Sequence, residues 1–303
     1  MVKNMKTGPI TGTFIDEITY DIPSSNWTLE KWRRDLDNMQ NIGIDTLIFI
    51  RGGFEDKSVF PSKTLGTENT ADDFAAFIFE EAERRKMDVF FGLYISNLDW
   101  NGGDAAGEIR KNKAFVNEVY QRYGKSSAFS GWYIPQEAAF DNLNIGEVMR
   151  GLSALCKDKT PDKRVLISPF FKTDITYPGE AHSPERTYEE WDRLFTLGGK
   201  DIDVCAFQDG TAPMAQMEEY YGVINSLCKK HGIHHWVNAE TFERDVRCMY
   251  YPITFRLLQN RLELHKKYAE KIITFEFSHF LSPQSIYPSA HNLNELYREK
   301  YLK

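Results

Sequence analysis

Short apolar runs and longer amphipathic stretches alternate along the whole chain. Continuous runs rich in Ile, Val and Phe are typical of strands that are buried on both faces, as in a parallel sheet covered by helices. Eight such runs predict strands, which are Ile10–Ile18, Thr46–Arg51, Asp88–Ser96, Ser130–Glu137, Arg164–Phe171, Val204–Asp209, His234–Glu240 and Ile272–Phe280.

Helical periodicity occupies the intervals between these strands. Apolar residues recur three or four positions apart, and several stretches end at a glycine, which often follows the last helical residue. The predicted helices are Leu29–Ile42 with Thr28 as N-cap, Ala71–Lys86, Lys111–Tyr123, Ile145–Lys157, Thr187–Leu197, Met214–His231, Pro252–Lys271 and Asn292–Leu302.

The alternation predicts one α/β domain. Eight strands, each followed by a helix, is the count of a (β/α)8 TIM barrel. We expect the barrel to span residues 1–303, with 1–9 as a short N-terminal extension and 292–303 as the closing helix. Long segments follow the strands, whereas the returns from helix to strand are short. The elaborated loops therefore gather at the carboxyl face of the barrel, where barrel enzymes hold their active sites.

Charge and composition narrow the range of functions. The 37 Lys and Arg residues against 44 Asp and Glu residues give a net charge of −7, so we expect no binding to a nucleic-acid backbone. No apolar run is long enough to span a membrane, and the polar first residues lack the apolar core of a signal peptide. We therefore expect a cytoplasmic protein, or a periplasmic or extracellular one if a signal was removed before residue 1.

The cysteines show no spacing typical of a zinc site or of a C-x-x-C pair. We expect all of them to be free thiols, most of which pack in the interior. They are Cys156, Cys205, Cys228 and Cys248.

Polar side chains collect at the predicted strand ends. In a barrel these ends meet at one mouth, and carboxylates buried there without partners would be costly. Their accumulation therefore predicts a functional pocket. The polar residues at strand ends are Asp16, Glu17, Arg51, Tyr94, Ser96, Gln136, Glu137, Gln208, Asp209, Asn238, Glu240, Glu276 and His279.

Glu137 and Glu240 form the most informative pair. They end the fourth and seventh predicted strands, on opposite sides of the mouth, so both can face one substrate. Cleavage of a glycosidic bond uses two such carboxyl groups, one to protonate the departing oxygen and one to attack the sugar or activate water. The simpler alternative is that each carboxylate only pairs with a Lys or Arg at the rim.

A Glu after strand four and a Glu after strand seven resembles the layout of the clan A retaining glycoside hydrolases. The resemblance implies that Glu137 is the general acid/base, that Glu240 is the nucleophile and that no cofactor is needed. The runs Gly131-Trp-Tyr-Ile-Pro-Gln-Glu137 and Phe207-Gln-Asp209 are more specifically similar to a bacterial barrel family, domain-of-unknown-function family 4434. Clan A usually has Asn before its acid/base, where this chain has Gln136.

Arg51 ends the second predicted strand. If it pairs with Glu240, it keeps that carboxylate ionised at neutral pH. The alternative is a salt bridge at the rim to Glu55 or Asp56.

The remaining strand-end side chains are expected to bind sugar hydroxyls. Two of them have equally good structural explanations, because Asp16 could fix a loop and Asp209-Gly210 could form a turn. The expected substrate-binding residues are Asp16, Arg51, Tyr94, Trp100, Gln136, Gln208, Asp209, Asn238, Glu276 and His279.

Aromatic residues in the strand-end loops could stack on the apolar faces of sugar rings. Trp132 and Trp236 lie inside predicted strands and are expected in the core, and Trp32 and Trp191 are expected to pack on helices. The loop aromatics are Trp100, Phe140, Tyr177, Tyr250, Tyr251, Phe280 and Tyr287.

Two other readings of the strand-end residues stay open. One is a metal-dependent barrel like the sugar isomerases, because carboxylates and a histidine can hold a divalent cation. The other is a barrel that binds glycans without cutting them. The chain has no dinucleotide, P-loop or G-x-S-x-G motif, so we expect neither nucleotide binding nor serine hydrolase chemistry. The candidate metal ligands are Glu137, Asp209, Glu240, Glu276 and His279.

Overall fold

The computed structural model describes residues 7–19, 23–245 and 249–303. Cys248 and residues 1–6 of the expected extension lie outside the described residues. The barrel strands are β1 (Ile10–Ile15), β2 (Thr46–Phe49), β3 (Asp88–Gly92), β4 (Phe129–Ile134), β5 (Arg164–Ile167), β6 (Val204–Gln208), β7 (His234–Asn238) and β8 (Lys271–Thr274).

These eight parallel strands close into a barrel in the order of the chain. Closure occurs where β1 pairs with both β2 and β8, and Thr13 lies opposite Leu47 on one side and Thr274 on the other. The predicted single-domain (β/α)8 TIM barrel is therefore confirmed.

In the described part of the chain, eight helices of eleven or more residues surround the barrel. Most of these helices begin after a loop on the carboxyl face, and a short turn then leads to the next strand. They are α1 (Leu29–Ile42), α2 (Phe74–Arg85), α3 (Ala105–Tyr123), α4 (Ile145–Lys159), α5 (Pro184–Gly198), α6 (Met217–His231), α7 (Phe255–His265) and α8 (Pro288–Tyr301).

Side-chain alternation along each strand produces two separate cores. Tyr133 points into the barrel with Phe14 and Trp236, whereas its neighbour Trp132 points outward to the helices. Because both faces of the strands are buried over most of their length, the strands are mostly apolar, as the sequence pattern indicates. The predicted core positions of Trp132 and Trp236 are confirmed, and so is the packing of the helical tryptophans Trp32 and Trp191.

The barrel strands end earlier than the apolar runs predict. The run Asp88–Ser96, for example, divides: β3 stops at Gly92, and Tyr94–Ile95 pairs instead with Gly53–Phe54 in a small separate sheet. Apolar residues beyond the strand ends pack in loops over the mouth, so hydrophobicity alone did not mark where the barrel pairing stops.

Among the predicted helices whose bounds differ from the structure, the third and the seventh are explained by local contacts. The third helix starts at Ala105 rather than Lys111, because the Asp104 carboxylate accepts a backbone N–H of its first turn. The seventh is shorter than predicted at both ends, because Pro252 lies in a β-hairpin and Lys271 begins β8. The first helix has the predicted bounds, with Thr28 as its N-cap.

Three cysteines lie in the described segments, namely Cys156, Cys205 and Cys228. All three are buried free thiols, as expected. Within the same segments, no helix combines the length and apolar character that crossing a membrane requires.

Two glycine substitutions test the C-terminal boundary of α1 and the interior of α6. Gly43 follows α1 with φ of +99°, where an added Cβ is strained and would lie 3.0 Å from the Thr7 Cβ atom. We expect Gly43→Ala to lower the free energy of unfolding by about 1 kcal/mol or more. Gly222 lies within α6 with open space around it, so Gly222→Ala should raise that free energy by about 0.5–1 kcal/mol. Urea unfolding measures both changes, and a matching sign for the two variants would contradict the prediction.

Candidate active site

A cavity of about 440 Å³ opens at the carboxyl ends of the barrel strands. Its walls come from the ends of β6 and β7 and from the loops after β1, β2, β4, β7 and β8. Both members of the glutamate pair reach it, so the strand positions that the sequence predicts do converge on one space. The predicted site residues that line it are Asp16, Arg51, Glu137, Gln208, Asn238, Glu240 and His279.

Glu137 follows β4 and is half-buried. The phenol of Tyr133, four residues earlier in the same strand, donates a hydrogen bond to Glu137 Oε1 over 3.1 Å. Burial, reinforced by the Glu137 carboxylate, holds the pKa of Tyr133 well above its usual range, so the phenol remains a donor. Tyr133 is itself fixed inside the barrel by an edge-to-face contact with Phe14. The barrel core thus orients Glu137.

Glu240 follows β7 and is almost completely buried, with 3% of its surface exposed. Its backbone N–H donates to Asp209 Oδ1 over 2.9 Å, and the Arg244 guanidinium lies 3.9 Å from its Oε1. Burial raises the pKa of the Glu240 carboxyl group to about 8; Arg244 opposes this rise, and Asp209 and Glu137 add to it. In the free protein at neutral pH, protonated Glu240 is therefore favoured.

The expected pairing of Arg51 with Glu240 is wrong. Arg51 donates to Thr19 Oγ1 over 2.9 Å, lies 3.7 Å from Asp16 Oδ2 and packs over the ring of Phe54. Among the described residues, Arg244 forms the ion pair with Glu240, and it is not one of the residues predicted from the sequence. It lies in a β-hairpin formed by Phe242–Arg244 and Tyr250–Pro252 after β7.

Gln208 and Asn238 line the cavity side by side at the ends of β6 and β7. Gln208 Nε2 donates to the Ser168 carbonyl over 2.8 Å, and Asn238 Nδ2 donates to the Ser168 hydroxyl over 3.2 Å. The side-chain carbonyl of Asn238 also accepts a hydrogen bond from the backbone N–H of Phe275. These bonds fix both amides relative to the cavity, which suits side chains that orient a ligand.

His279 contributes another wall of the cavity. Its Nδ1 forms a very short contact with the buried Glu276 carboxylate, and its Nε2 lies 2.9 Å from Ser24 Oγ. Because the Ser24 hydroxyl already donates to the Asp16 carbonyl, Nε2 has to donate to Ser24. Burial alone would lower the pKa of His279, but Glu276 reverses this and raises it. Burial in turn raises the pKa of the Glu276 carboxyl group, which opposes its ionisation beside the ring.

Five predicted substrate-binding residues do not line the cavity. Gln136 turns toward α3, where its Nε2 donates to Glu108 Oε1 and to the Tyr94 carbonyl. Gln136 and Glu137 thus point to opposite sides of the chain after β4, Gln136 toward α3 and Glu137 toward the cavity. Asp209 is fully buried behind Glu240. The five residues outside the cavity lining are Tyr94, Trp100, Gln136, Asp209 and Glu276.

Aromatic side chains form one continuous wall of the cavity. Phe242 packs against both Tyr250 and Phe280, with ring centroids 4.8 and 5.1 Å apart, and Phe280 stacks on Tyr287. Tyr250, Phe280 and Tyr287 are among the loop aromatics predicted from the sequence, whereas Phe242 is not. The predicted loop aromatics that lie outside the lining are Trp100, Phe140, Tyr177 and Tyr251.

The candidate metal ligands are divided among separate places. Asp209 and Glu276 are each held in their own buried cluster, whereas Glu137, Glu240 and His279 reach the cavity. Across residues 7–19, 23–245 and 249–303, no three His, Cys, Asp or Glu side chains come together in a group that could hold a metal ion.

Comparison with known families and structures adds to this geometry. The model of a family described as a domain of unknown function, DUF4434, matches residues 10–287. A search of curated proteins finds no match. A crystal structure of a "putative alpha-L-fucosidase" from Bacteroides thetaiotaomicron is 36% identical, with a TM-score of 0.93 over 100% of this chain and 97% of that one.

More distant structures share the fold. An intracellular xylanase from Thermoanaerobacterium saccharolyticum is 11% identical with a TM-score of 0.54, over 89% of this chain and 85% of its own. A beta-glucosidase from Thermotoga maritima is 9% identical with a TM-score of 0.58, over 98% of both chains. At these identities the likeness concerns the barrel alone.

The buried carboxyl group of Glu240 should make stability depend on pH. Its pKa is about 8 in the folded protein against 4.5 for an ordinary Glu. Between these values the unfolded chain ionises and the folded one does not, so Glu240 lowers stability as pH rises from 4.5 and does so fully above 8. We expect Glu240→Gln to stabilise the protein at pH 9, by at most about 5 kcal/mol, and to have little effect at pH 4.

Thermal unfolding of both proteins across that pH range measures this difference. Glu68→Gln, at an exposed position, controls for replacing a carboxylate with an amide at the surface. A Glu240→Gln variant whose Tm differs from that of the wild type by the same amount at pH 4 and pH 9 would contradict the raised pKa.

Proposed function

The chain belongs to the DUF4434 family, and we propose that it is a glycoside hydrolase in which Glu137 and Glu240 cleave the bond by a retaining mechanism. The observation that carries the proposal is that these two carboxyl groups, from β4 and β7, line one cavity at the barrel mouth. Each also has a neighbour suited to its role, since Tyr133 donates to Glu137 and Arg244 lies beside Glu240.

In the proposed first step, a Glu240 oxygen attacks the anomeric carbon while Glu137 gives its proton to the departing oxygen. The bond to the leaving group breaks as the bond to Glu240 forms. In the second step, Glu137 removes a proton from a water molecule, which attacks the same carbon and releases Glu240. The two inversions give net retention, and the pair returns to its starting state with one proton.

The proposed cycle needs one proton on the pair, held by Glu137 when Glu240 attacks. In the free protein burial favours that proton on Glu240, whose pKa is about 8. The attractive charge of Arg244 favours the opposite, productive arrangement, because it stabilises ionised Glu240. Because the cycle needs one proton on the two carboxyl groups together, we expect the alkaline limb of the pH profile to report the loss of that proton.

The side chains that line the cavity favour a sugar as the ligand. Its aromatic wall offers faces on which the apolar C–H side of a sugar ring can stack, and the amides of Gln208 and Asn238 are held rigidly beside it. The structural relative that is 36% identical is described as a "putative alpha-L-fucosidase", so an alpha-L-fucoside is the first substrate to test.

The roles of the two glutamates can be separated by the leaving group. Glu137→Ala should lose at least about 10³-fold of kcat/KM on a glycoside whose leaving group needs protonation, but far less on a 2,4-dinitrophenyl glycoside, which needs none. Glu240→Ala should lose activity on both substrates, because the nucleophile is absent. Steady-state kinetics on matched fucosides measure this, with Glu68→Ala as the control at an exposed position.

Added azide gives an independent check on the same variants. Azide should rescue Glu137→Ala with a product of retained configuration, since it replaces the second-step water, and Glu240→Ala with one of inverted configuration. The reverse pattern would exchange the two roles. Sugar binding without turnover would favour a glycan-binding barrel, and turnover only with added divalent cation would favour the metal-dependent alternative.

Arg244 should control the alkaline limb of activity. We expect kcat/KM to fall as pH rises through about 8, where the pair loses its last proton. Removing the positive charge in Arg244→Gln raises the pKa of Glu240 further, so the limb should move to higher pH, whereas Arg244→Lys should move it less. A limb that stays in place or moves to lower pH in Arg244→Gln would contradict the electrostatic role of Arg244.

A further inference from the structure

Asp209 follows β6 directly and is completely buried behind the cavity. Its Oδ1 accepts the backbone N–H of Glu240 over 2.9 Å and a guanidinium N–H of Arg261 over 3.2 Å. Its Oδ2 lies 2.8 Å from Nε2 of His265. One carboxylate therefore joins the end of β6, the second residue after β7 and two side chains of α7.

This carboxylate is held in its charged form. Burial alone would raise the pKa of Asp209, but the charges and hydrogen bonds of Arg261 and His265 more than offset burial and lower it. A buried ion network of this kind contributes little net stability compared with apolar packing. What it does provide is a fixed direction, because each oxygen atom of the carboxylate has its own partners.

Gly210, the next residue, occupies the other side of Glu240. A Cβ atom at this position would lie 1.7 Å from Glu240 Oε2 and 2.6 Å from its Cδ atom. The backbone does not require glycine here, since Gly210 is not among the described residues with positive φ. Glycine is therefore needed for space, and the space it leaves is the one that the Glu240 carboxyl group fills.

We propose that Asp209 and Gly210 are positioning residues for Glu240: Asp209 anchors its backbone N–H, and Gly210 leaves the space in which its carboxyl group sits. This assignment rests on the proposed function in that it treats Glu240 as the nucleophile. It also replaces the expected contact between Asp209 and a sugar hydroxyl. Attack on an anomeric carbon is sensitive to distance, and a displacement of about 1 Å can lower the rate by about 100-fold.

The direct test is Gly210→Ala in the whole protein. The added methyl group can be accommodated if the flexible end of Glu240 swings away, so the fold should survive while the carboxyl group moves. We expect kcat to fall at least about 100-fold on the fucoside or on whichever glycoside the wild type cleaves, with a smaller change in KM. Gly222→Ala, which adds the same methyl group in open space, is the matched control and should keep wild-type kinetics.

A second readout needs no substrate. The methyl group is expected to push the Glu240 carboxyl group out of its buried position. The contribution of Glu240 to the change in Tm between pH 4 and pH 9 should then be smaller in Gly210→Ala than in the wild type. The Glu240→Gln variant, which lacks this contribution altogether, sets the scale. Unchanged kcat/KM in Gly210→Ala, within about threefold, or an unchanged pH dependence of its Tm would overturn the proposal.

Asp209→Asn tests the anchor. The amide keeps an oxygen for the Glu240 N–H but loses the charge that fixes it against Arg261 and His265. We expect kcat to fall about 10-fold or more while KM changes less, and Asp209→Ala to lose more than Asp209→Asn. Equal losses in kcat and in 1/KM would indicate a sugar ligand instead and overturn the anchoring role. A wild type that cleaves no glycoside would remove the proposed function, whereas the substrate-free readout would still decide whether Gly210 positions Glu240.

Discussion

Pairing of β1 with β8 closes the sheet, and every feature of the cavity depends on that closure. An open parallel sheet would leave the ends of β4 and β7 far apart and would expose two edges. Closure instead brings the carboxyl ends of all eight strands to one mouth, so that Glu137 and Glu240 reach the same cavity although 102 residues separate them in the chain. The apolar interior below, with Phe14, Tyr133 and Trp236, excludes water and provides the floor.

Behind the mouth, charged groups are buried in pairs and networks. Glu276 is matched by His279, and Asp209 by Arg261 and His265. Asp209 ties the end of β6 to α7, and His279 ties the segment after β8 to Ser24, so the loops that carry the site are held by directional contacts. Apolar packing alone would hold them with less directional precision, because hydrophobic burial has no preferred angle.

Glu240 differs from these clusters, because burial outweighs the charges that would favour ionisation of its carboxyl group. Arg244 lies 3.9 Å away, beyond hydrogen-bonding distance, so burial dominates and raises the pKa of the carboxyl group to about 8. Such a group lowers stability at neutral and alkaline pH, and a fold under selection for stability alone would replace it. Its presence in a cavity with a second carboxyl group is therefore a physical sign of function, because functional sites commonly hold groups that destabilise the fold.

The sequence by itself determined the barrel. Mostly apolar strands, helical periodicity and the Thr28 and Gly43 boundaries of α1 are local signals, and each depends on neighbours within a few residues. Because a closed barrel aligns all of its strand ends, the same pattern also placed Glu137 and Glu240 at one mouth.

Only the tertiary structure decided which partners those side chains have. Gln136 and Asp209 were expected at the cavity, yet the strands end before them, and the chain then turns each toward the helices. Arg51 lies beside Asp16, whereas Arg244 reaches Glu240 through a hairpin whose course has no periodic signature. Contacts of this kind depend on where distant loops meet after the barrel has closed, and no local pattern in the chain records that position.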